Sequence, residues 1–198
     1  PISSMDDLRR YQPPDPLRPE RLGVLPDLVR RYKGKRAILF HQRAAFMWSA
    51  YLNGLDNLLA NFLTEPEFCD ALLDMVLDVN MAVARQAIRA GADAIVLGDD
   101  YAHNRGPMMS PKAFHRFVFP RLKRMVDMIH AEGALAIKHS DGNLYPLMED
   151  ILASGADAIN PIEPAAGMDL ATTKRLVGDR MAVIGNVDCG ELLSHGTV

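Results

Sequence analysis

The sequence predicts an α/β fold of the (β/α)8 TIM-barrel class, with about five of the eight strands inside its 198 residues, and three observations carry this. Short runs rich in Val, Ile and Leu alternate with segments of helical spacing, the pattern of a parallel sheet covered by helices. The word Gly-Ala-Asp-Ala-Ile occurs twice, at 91–95 and 155–159, each time between a helical segment and an apolar run. Polar residues gather just after the apolar runs, where barrels collect residues for chemistry from the ends of several strands. A doubly wound open sheet shares the first two features. No Gly-x-Gly-x-x-Gly loop follows a strand, which removes the simplest nucleotide-binding reading of such a sheet.

Residues 1–34 carry Pro13, Pro14, Pro16, Pro19 and Pro26 and read as a Pro-rich leading segment that hugs the surface, ahead of a partial barrel from 35 to 198. Arg30, Arg31 and Lys33 suit a solvated helix end. The run 37–40 is the first strand and stops at His41. Helical spacing covers 48–63 and then 66–90, where Pro66 fits a first turn because its missing N–H costs little there. The second strand is 94–97. A loop over 101–109 is long for a strand-to-helix connection and of the kind that forms lids. Ser110 and Pro111 then start a helix to about Ala131. Strands at 135–138, 158–162 and 181–184 alternate with helices near 145–153, near 170–177 and from about Gly190. Gly91 and Gly155 each close a helix. Met108, Met109, Met125 and Met128 read as core filler, and Trp48 as a core residue.

A content of 48% hydrophobic and 24% charged residues is ordinary for a globular chain, and the length suffices for one core. With 22 basic against 25 acidic residues the net charge is −3, so no basic field marks a nucleic-acid or anionic-membrane partner. No apolar stretch approaches the ~20 residues of a membrane span, and no signal-peptide pattern opens the sequence. Cys69 and Cys189 are too few for a disulfide framework, which fits a reducing compartment and makes the cytoplasm the expected location. The first residue is Pro1 and the last follow closely on a helix start, so a longer intact protein is expected. Otherwise, unpaired strand edges would favour association with a second copy.

The segment Lys138-His139-Ser140-Asp141-Gly142-Asn143 ends an apolar strand in polar groups. Alternate strand residues share a face, so His139 and Asp141 can approach one metal ion, and a catalytic zinc needs three protein ligands plus an open position. Asp141 can equally cap the next helix while His139 hydrogen-bonds in a pocket. Of the adjacent Asp99 and Asp100, one is expected to face the mouth, to accept a proton, orient a cation or bind metal, and the other to hold a loop N–H. Glu163, kept out of a helix by Pro164, joins Asp99, Asp100 and His139 as an expected catalytic group. Tyr101, His41, Asn143, Asn160, Asn186 and Asp188 fall at the same strand ends and are expected to bind a small-molecule substrate. His103, Asn104 and Arg105 read as solvated loop residues, Cys189 as a small buried residue at a helix start, and Cys69 as a helix residue without a role.

Taken together, Gly91-Ala-Asp-Ala-Ile95 with Asp99-Asp100, Met109-Ser110-Pro111 with Phe114, Phe117 and Pro120 at three-residue steps, His139-Ser-Asp-Gly-Asn143, and Gly185-Asn-Val-Asp188 resemble the uroporphyrinogen decarboxylase superfamily over roughly residues 35 to 198. That resemblance implies a (β/α)8 barrel and one of two chemistries. One is decarboxylation of a porphyrinogen-like polycarboxylate in tetrapyrrole synthesis, which needs no cofactor. The other is cobalamin-dependent methyl transfer, from a methyl-corrinoid on a partner protein to a thiol or related acceptor. The decarboxylases have a short Asp-Ser turn in place of the 99–109 loop and lack His-Ser-Asp-Gly-Asn, so the likeness is nearer the methyltransferase branch. There a zinc-binding His-x-Cys stands where this sequence has His139-Ser-Asp141, with a further Cys that would fall beyond Val198. His139 carries over, and Asp141 in the Cys position implies a harder, oxygen-containing site. The resulting expectation is corrinoid-linked methyl transfer to a small acceptor, with His139 and Asp141 as metal or acceptor ligands. Decarboxylation and a non-catalytic barrel that binds a corrinoid protein stand beside it.

Overall fold

The computed structural model describes residues 1–197. Strands β1 (Leu39–Gln42) and β2 (Ala94–Gly98) are followed by a small antiparallel pair, β3 (Ala102–His103) and β4 (Gly106–Pro107), and then by β5 (Leu135–His139), β6 (Ala158–Asn160) and β7 (Ala182–Val183). The five main strands pair in parallel in the order β1-β2-β5-β6-β7. Each new strand therefore adds beside the previous one, which is how consecutive units of a (β/α)8 barrel are laid down. Helices α1 (Met5–Arg10) and α2 (Leu25–Tyr32) precede the sheet. Between β1 and β2 run α3 (Phe46–Asn53), α4 (Leu55–Thr64) and α5 (Pro66–Arg89). Next come α6 (Pro111–Ala113), a π turn at Phe114–Val118 and α7 (Phe119–Ala131), then α8 (Met148–Ala153), α9 (Leu170–Val177) and α10 (Leu192–His195).

The repeated Gly-Ala-Asp-Ala-Ile word has a bonding reason. Gly91 and Gly155 take positive φ, +113° and +82°, at the ends of α5 and α8, a conformation glycine adopts without penalty. Asp93 then accepts from Ile38 N at 2.8 Å through its carboxylate, donates its own N–H to Ile38 O at 2.7 Å, and accepts from Leu135 N at 3.1 Å through its carbonyl. Asp157 repeats the pattern, with Ala136 N at 2.7 Å, Ala136 O at 2.8 Å and Ala182 N at 2.8 Å. Each aspartate thus ties the start of its own strand to both neighbours, and the two words fix the register of all five strands.

Ile95, Leu97, Ala136 and Ile159 are fully buried on the helix-covered face, against α5 and α7 among others. Leu39 and Leu135, 49% and 54% exposed, lie on the opposite face, toward the barrel axis. An ionic clamp holds α5 to α7. Arg121, its side chain only 7% exposed, donates to both oxygens of Asp74 at 3.0 and 2.8 Å and to the carbonyl of Phe117 at 3.0 Å.

Several elements differ from the sequence expectation. The helical segment at 48–63 is two helices, broken at Gly54 (φ +97°). Ser110 does cap a helix, its Oγ accepting from Ala113 N at 3.2 Å, but the chain widens into the π turn before Pro120, which has no N–H to donate. The 158–162 strand ends at Asn160 for the same reason, since Pro161 cannot extend the ladder. The 101–109 loop is the β3–β4 hairpin, packed down on the turn after β5. Trp48, expected in the core, is 47% exposed and stands edge-on to Tyr51. The leading segment does contribute to the core, through Ile2 and Leu25.

If the core lies between the sheet and α5–α7, Leu122→Ala, at a buried position on α7, costs about 3 kcal/mol in chemical denaturation. Leu63→Ala, 85% exposed on α4, changes stability by less than about 0.5 kcal/mol.

Candidate metal and substrate site

The site begins with a register. Gly98, the last residue of β2, lies opposite His139, the last of β5. Two residues beyond each come Asp100 and Asp141. His139 Nε2 lies 3.8 Å from Asp100 Oδ1 and 3.9 Å from Asp141 Oδ1, and one ligand atom from each residue falls within 4.8 Å of the others. Backbone bonding brings them together, because the two strand ends are cross-linked above the sheet. Tyr101 N donates to Ser140 Oγ at 2.9 Å, Asp141 N to Asp100 Oδ1 at 3.2 Å and Asn143 N to His103 O at 3.0 Å. Gly142 has φ +87°, and a Cβ there would stand 2.5 Å from the carbonyl carbon of Ala102. Only glycine lets the turn lie this close to β3.

The donor set of one imidazole and two carboxylates fits a divalent cation of the zinc type, with open positions left for other ligands. It is harder than a thiolate set. Burial pushes the Asp141 carboxyl above its ordinary range, and the charges of Asp100 and Glu163 add to this while His139 opposes it. A cation among these groups would relieve that repulsion. Glu163 accepts from Gly142 N at 2.6 Å, so it holds the turn that carries Asp141, and its other oxygen has no protein donor among the described residues.

His41, at the end of β1, turns its ring edge to His139, with ring centroids 6.4 Å apart. Its partial burial, together with the charges of His139 and Arg43, holds the imidazole below its usual range. A Cβ on Gly98 would come 2.4 Å from His41 Nε2, so the glycine makes room for this ring. Asn160 pairs with His139 across β5–β6, and its buried Oδ1 has no donor among the described residues. Asn143 Oδ1 accepts from Tyr145 N at 3.2 Å. Asn186 and Asp188 follow β7, where Asp188 accepts from Glu191 N at 2.7 Å and fastens the turn before α10. Neither belongs to the converging donor set.

Two expected mouth residues lie beneath it instead. Asp99 is fully buried; its carboxylate accepts from Ala45 N and Phe46 N at 2.9 Å and from Met47 N at 3.3 Å, so it holds the first turn of α3 rather than meeting substrate. Burial pushes its carboxyl up, opposed chiefly by the charge of Lys138. Tyr101 is buried edge-on between Phe46 and Phe114, at 6.0 and 5.0 Å between centroids, and its side chain cannot reach a substrate. Cys189, expected to be buried, is exposed, whereas Cys69 is buried in α5 with its thiol pushed up to about 12 by burial.

Sequence reasoning missed Lys138 and Arg43. Lys138 is fully buried, with Nζ donating to Leu97 O at 3.1 Å, Asp99 O at 2.5 Å and the carbonyl of His139, and lying 4.0 Å from the Tyr101 ring centroid. Its signal was present in the sequence. Period-2 alternation from Ala136 puts a lysine on the helix-covered face, where an unpaired charge is rarely found. Arg43 donates to the carbonyl of Gly98 and stacks over Tyr51, a contact its position in a loop did not announce.

A parallel barrel sheet with a polar donor cluster beyond the C-terminal ends of its strands is the architecture of barrel enzymes. Across residues 1–197 the sequence matches the uroporphyrinogen decarboxylase (URO-D) family, and the chain belongs to that family. A methylated-thiol–coenzyme M methyltransferase of Methanosarcina mazei is 25% identical over 179 residues, covering 90% of this chain and 46% of its own. A uroporphyrinogen decarboxylase of Pseudoalteromonas translucida is 26% identical over 221 residues, covering 100% of this chain and 56% of its own. A methylcobamide:CoM methyltransferase of Methanosarcina acetivorans is 24% identical over 200 residues, covering 99% and 56%. A solved methyltransferase from Methanosarcina mazei superposes with a TM-score of 0.80 at 20% identity, over 99% of this chain and 55% of that one, and this likeness shows the fold. The chain spans about half the length of the relatives it matches. Among the described residues, no helix is long and apolar enough to cross a membrane.

Burial pulls the Lys138 ammonium from 10.5 down to about 7. Between those values the unfolded chain holds a proton that the folded chain has released, so this group makes stability rise with pH across the window. Urea unfolding is expected to show about 2 kcal/mol more stability from this group at pH 9 than at pH 7, a rise that Lys138→Met removes.

Proposed function

We propose that the chain forms the metal- and acceptor-binding part of a corrinoid-linked methyltransferase, acting at the C-terminal mouth of the barrel. The observation that carries this reading is the convergence of Asp100, His139 and Asp141. It coincides with the position at which the methyltransferase branch carries His-x-Cys, and supplies Asp100 as a third donor. Methyltransferases acting on methylated thiols and on methylcobamide are among the relatives that match nearly the whole chain.

His139, Asp100 and Asp141 would hold a zinc-type cation. When bound, such an ion supplies Lewis acidity that lowers the pKa of an acceptor X–H group. The oxygen-containing donor set favours an acceptor that binds through oxygen or nitrogen over a soft thiol. The remaining work falls to the chain's own side chains. Glu163 keeps an oxygen for a substrate hydrogen, and Asn160 offers an unfilled acceptor beside His139. His41, whose imidazole is held below its usual range by partial burial, stands at the mouth beside His139. A cavity of about 430 Å3 opens between β1, α5 and the leading segment, with Phe40, Trp48, Leu52 and Val76 in its wall, and His41 is the one residue of the mouth that borders it. The methyl-corrinoid arrives on a partner protein, which requires the mouth to remain accessible.

Decarboxylation is the second reading, because a decarboxylase matches the whole chain at 26% identity, against 25% and 24% for the methyltransferases. One experiment separates the two. The intact protein is titrated with Zn2+ and assayed for demethylation of methylcobalamin with small alcohols, amines and thiols, alongside Asp100→Ala, His139→Ala and Asp141→Ala. Methyl transfer predicts about one equivalent of metal, at least about 10-fold weaker binding in each variant and a larger loss of turnover. A metal-free wild type that decarboxylates uroporphyrinogen, with the His139 variant unimpaired, would establish the decarboxylase instead.

A further inference from the structure

We propose that Lys138 is a positioning residue whose ammonium fastens the ends of β2 and β5 together and so sets the spacing of the metal-binding side chains that leave those two ends. The proposal rests on the metal-site reading above and adds to it a group outside the ligand set.

The geometry is specific to the two strands that supply the ligands. Nζ donates to Leu97 O and Asp99 O, which bracket the last residue of β2, and to the carbonyl of His139. The Asp99 carbonyl belongs to the peptide unit that carries Asp100 N, and the His139 carbonyl to the unit that carries Ser140 N. Both strands end at this level; the His139–Ser140 unit is anchored on its other side by Ser140 N donating to Asn160 O at 3.1 Å, and the ammonium ties the end of β2 to it. All three ammonium hydrogens are used on backbone carbonyls. Among the described residues, no carboxylate forms a salt bridge with Lys138, although Asp99, Asp100 and Asp141 lie near enough to act on its charge. The face of Tyr101 covers Nζ at 4.0 Å and adds a cation–π contact.

Burying an ammonium is costly, and an apolar residue would fill this position as Leu97 and Ile159 fill theirs. The cost is explained by what the ammonium holds. It binds both strand ends at once, one layer below the mouth. Hydrogen bonds of this supporting kind fix the orientation of metal ligands without touching the metal.

The test uses Co2+ as the probe, since its visible absorption reports the geometry of its ligands. Lys138→Met keeps the stem and removes the ammonium, and Lys138→Gln keeps a shorter, uncharged donor. Positioning predicts Co2+ binding about 10- to 100-fold weaker in Lys138→Met, with altered band positions and intensities, and an intermediate effect in Lys138→Gln. Leu122→Ala, destabilised at a distance from the mouth, is the control and should keep the wild-type spectrum. If Lys138→Met does not fold, Lys138→Gln carries the comparison. Folded variants with wild-type affinity and spectrum would overturn the inference and leave the metal site standing. A wild-type protein that takes up no Co2+ would overturn both.

Discussion

Because β2 and β5 run parallel with Gly98 opposite His139, the segments that leave these strands emerge side by side, and each presents an aspartate two residues later. The mouth depends on this pairing. A one-residue slip would carry His139 to the helix-covered face and separate Asp100 from Asp141. The Asp93 and Asp157 clamps guard against such a slip at the opposite end of the sheet, since each bonds to the strand before its own and the strand after. The register is set where the strands begin and used where they end.

The same strand ends are polar on both sides, with different tasks. On the barrel side stand His41, Asp100, His139 and Asp141, partly exposed and short of protein partners. On the helix side stand Asp99 and Lys138, fully buried, with their hydrogen-bonding capacity taken up by backbone groups. Asp99 satisfies three N–H groups at the start of α3, where the preceding Ala45 offers no capping side chain. Lys138 satisfies carbonyls at the ends of β2 and β5. The buried layer removes the freedom of the backbone beneath the exposed one.

Much of this organisation was legible in the sequence. Alternating apolar runs and the repeated pentapeptide gave the parallel sheet, because both reflect backbone constraints that act locally. His139 and Asp141 were visible as a pair because strand alternation is simple, although β5 stops at His139 and it is the turn that returns Asp141 to the same side. Of the two adjacent aspartates, the reading that one faces the mouth and the other binds loop N–H groups is what the structure shows. Which one does which depended on the placement of α3, more than 40 residues earlier in the chain, and no local rule contains it. Tyr101 and Trp48 were misplaced for a related reason. Residue type suggested a wet tyrosine and a dry tryptophan, but tertiary packing put the tyrosine under the hairpin and left the tryptophan on the surface of α3.

The two cysteines differ in a way that makes the molecule experimentally convenient. Cys69 is enclosed in α5 with a thiol that resists ionisation, while Cys189 stands exposed beyond β7, on the side of the sheet where the strands end. Within this chain, a maleimide-linked fluorophore or spin label would therefore attach at Cys189. It would sit on the rim of the barrel mouth, where the approach of a partner protein could be followed in real time.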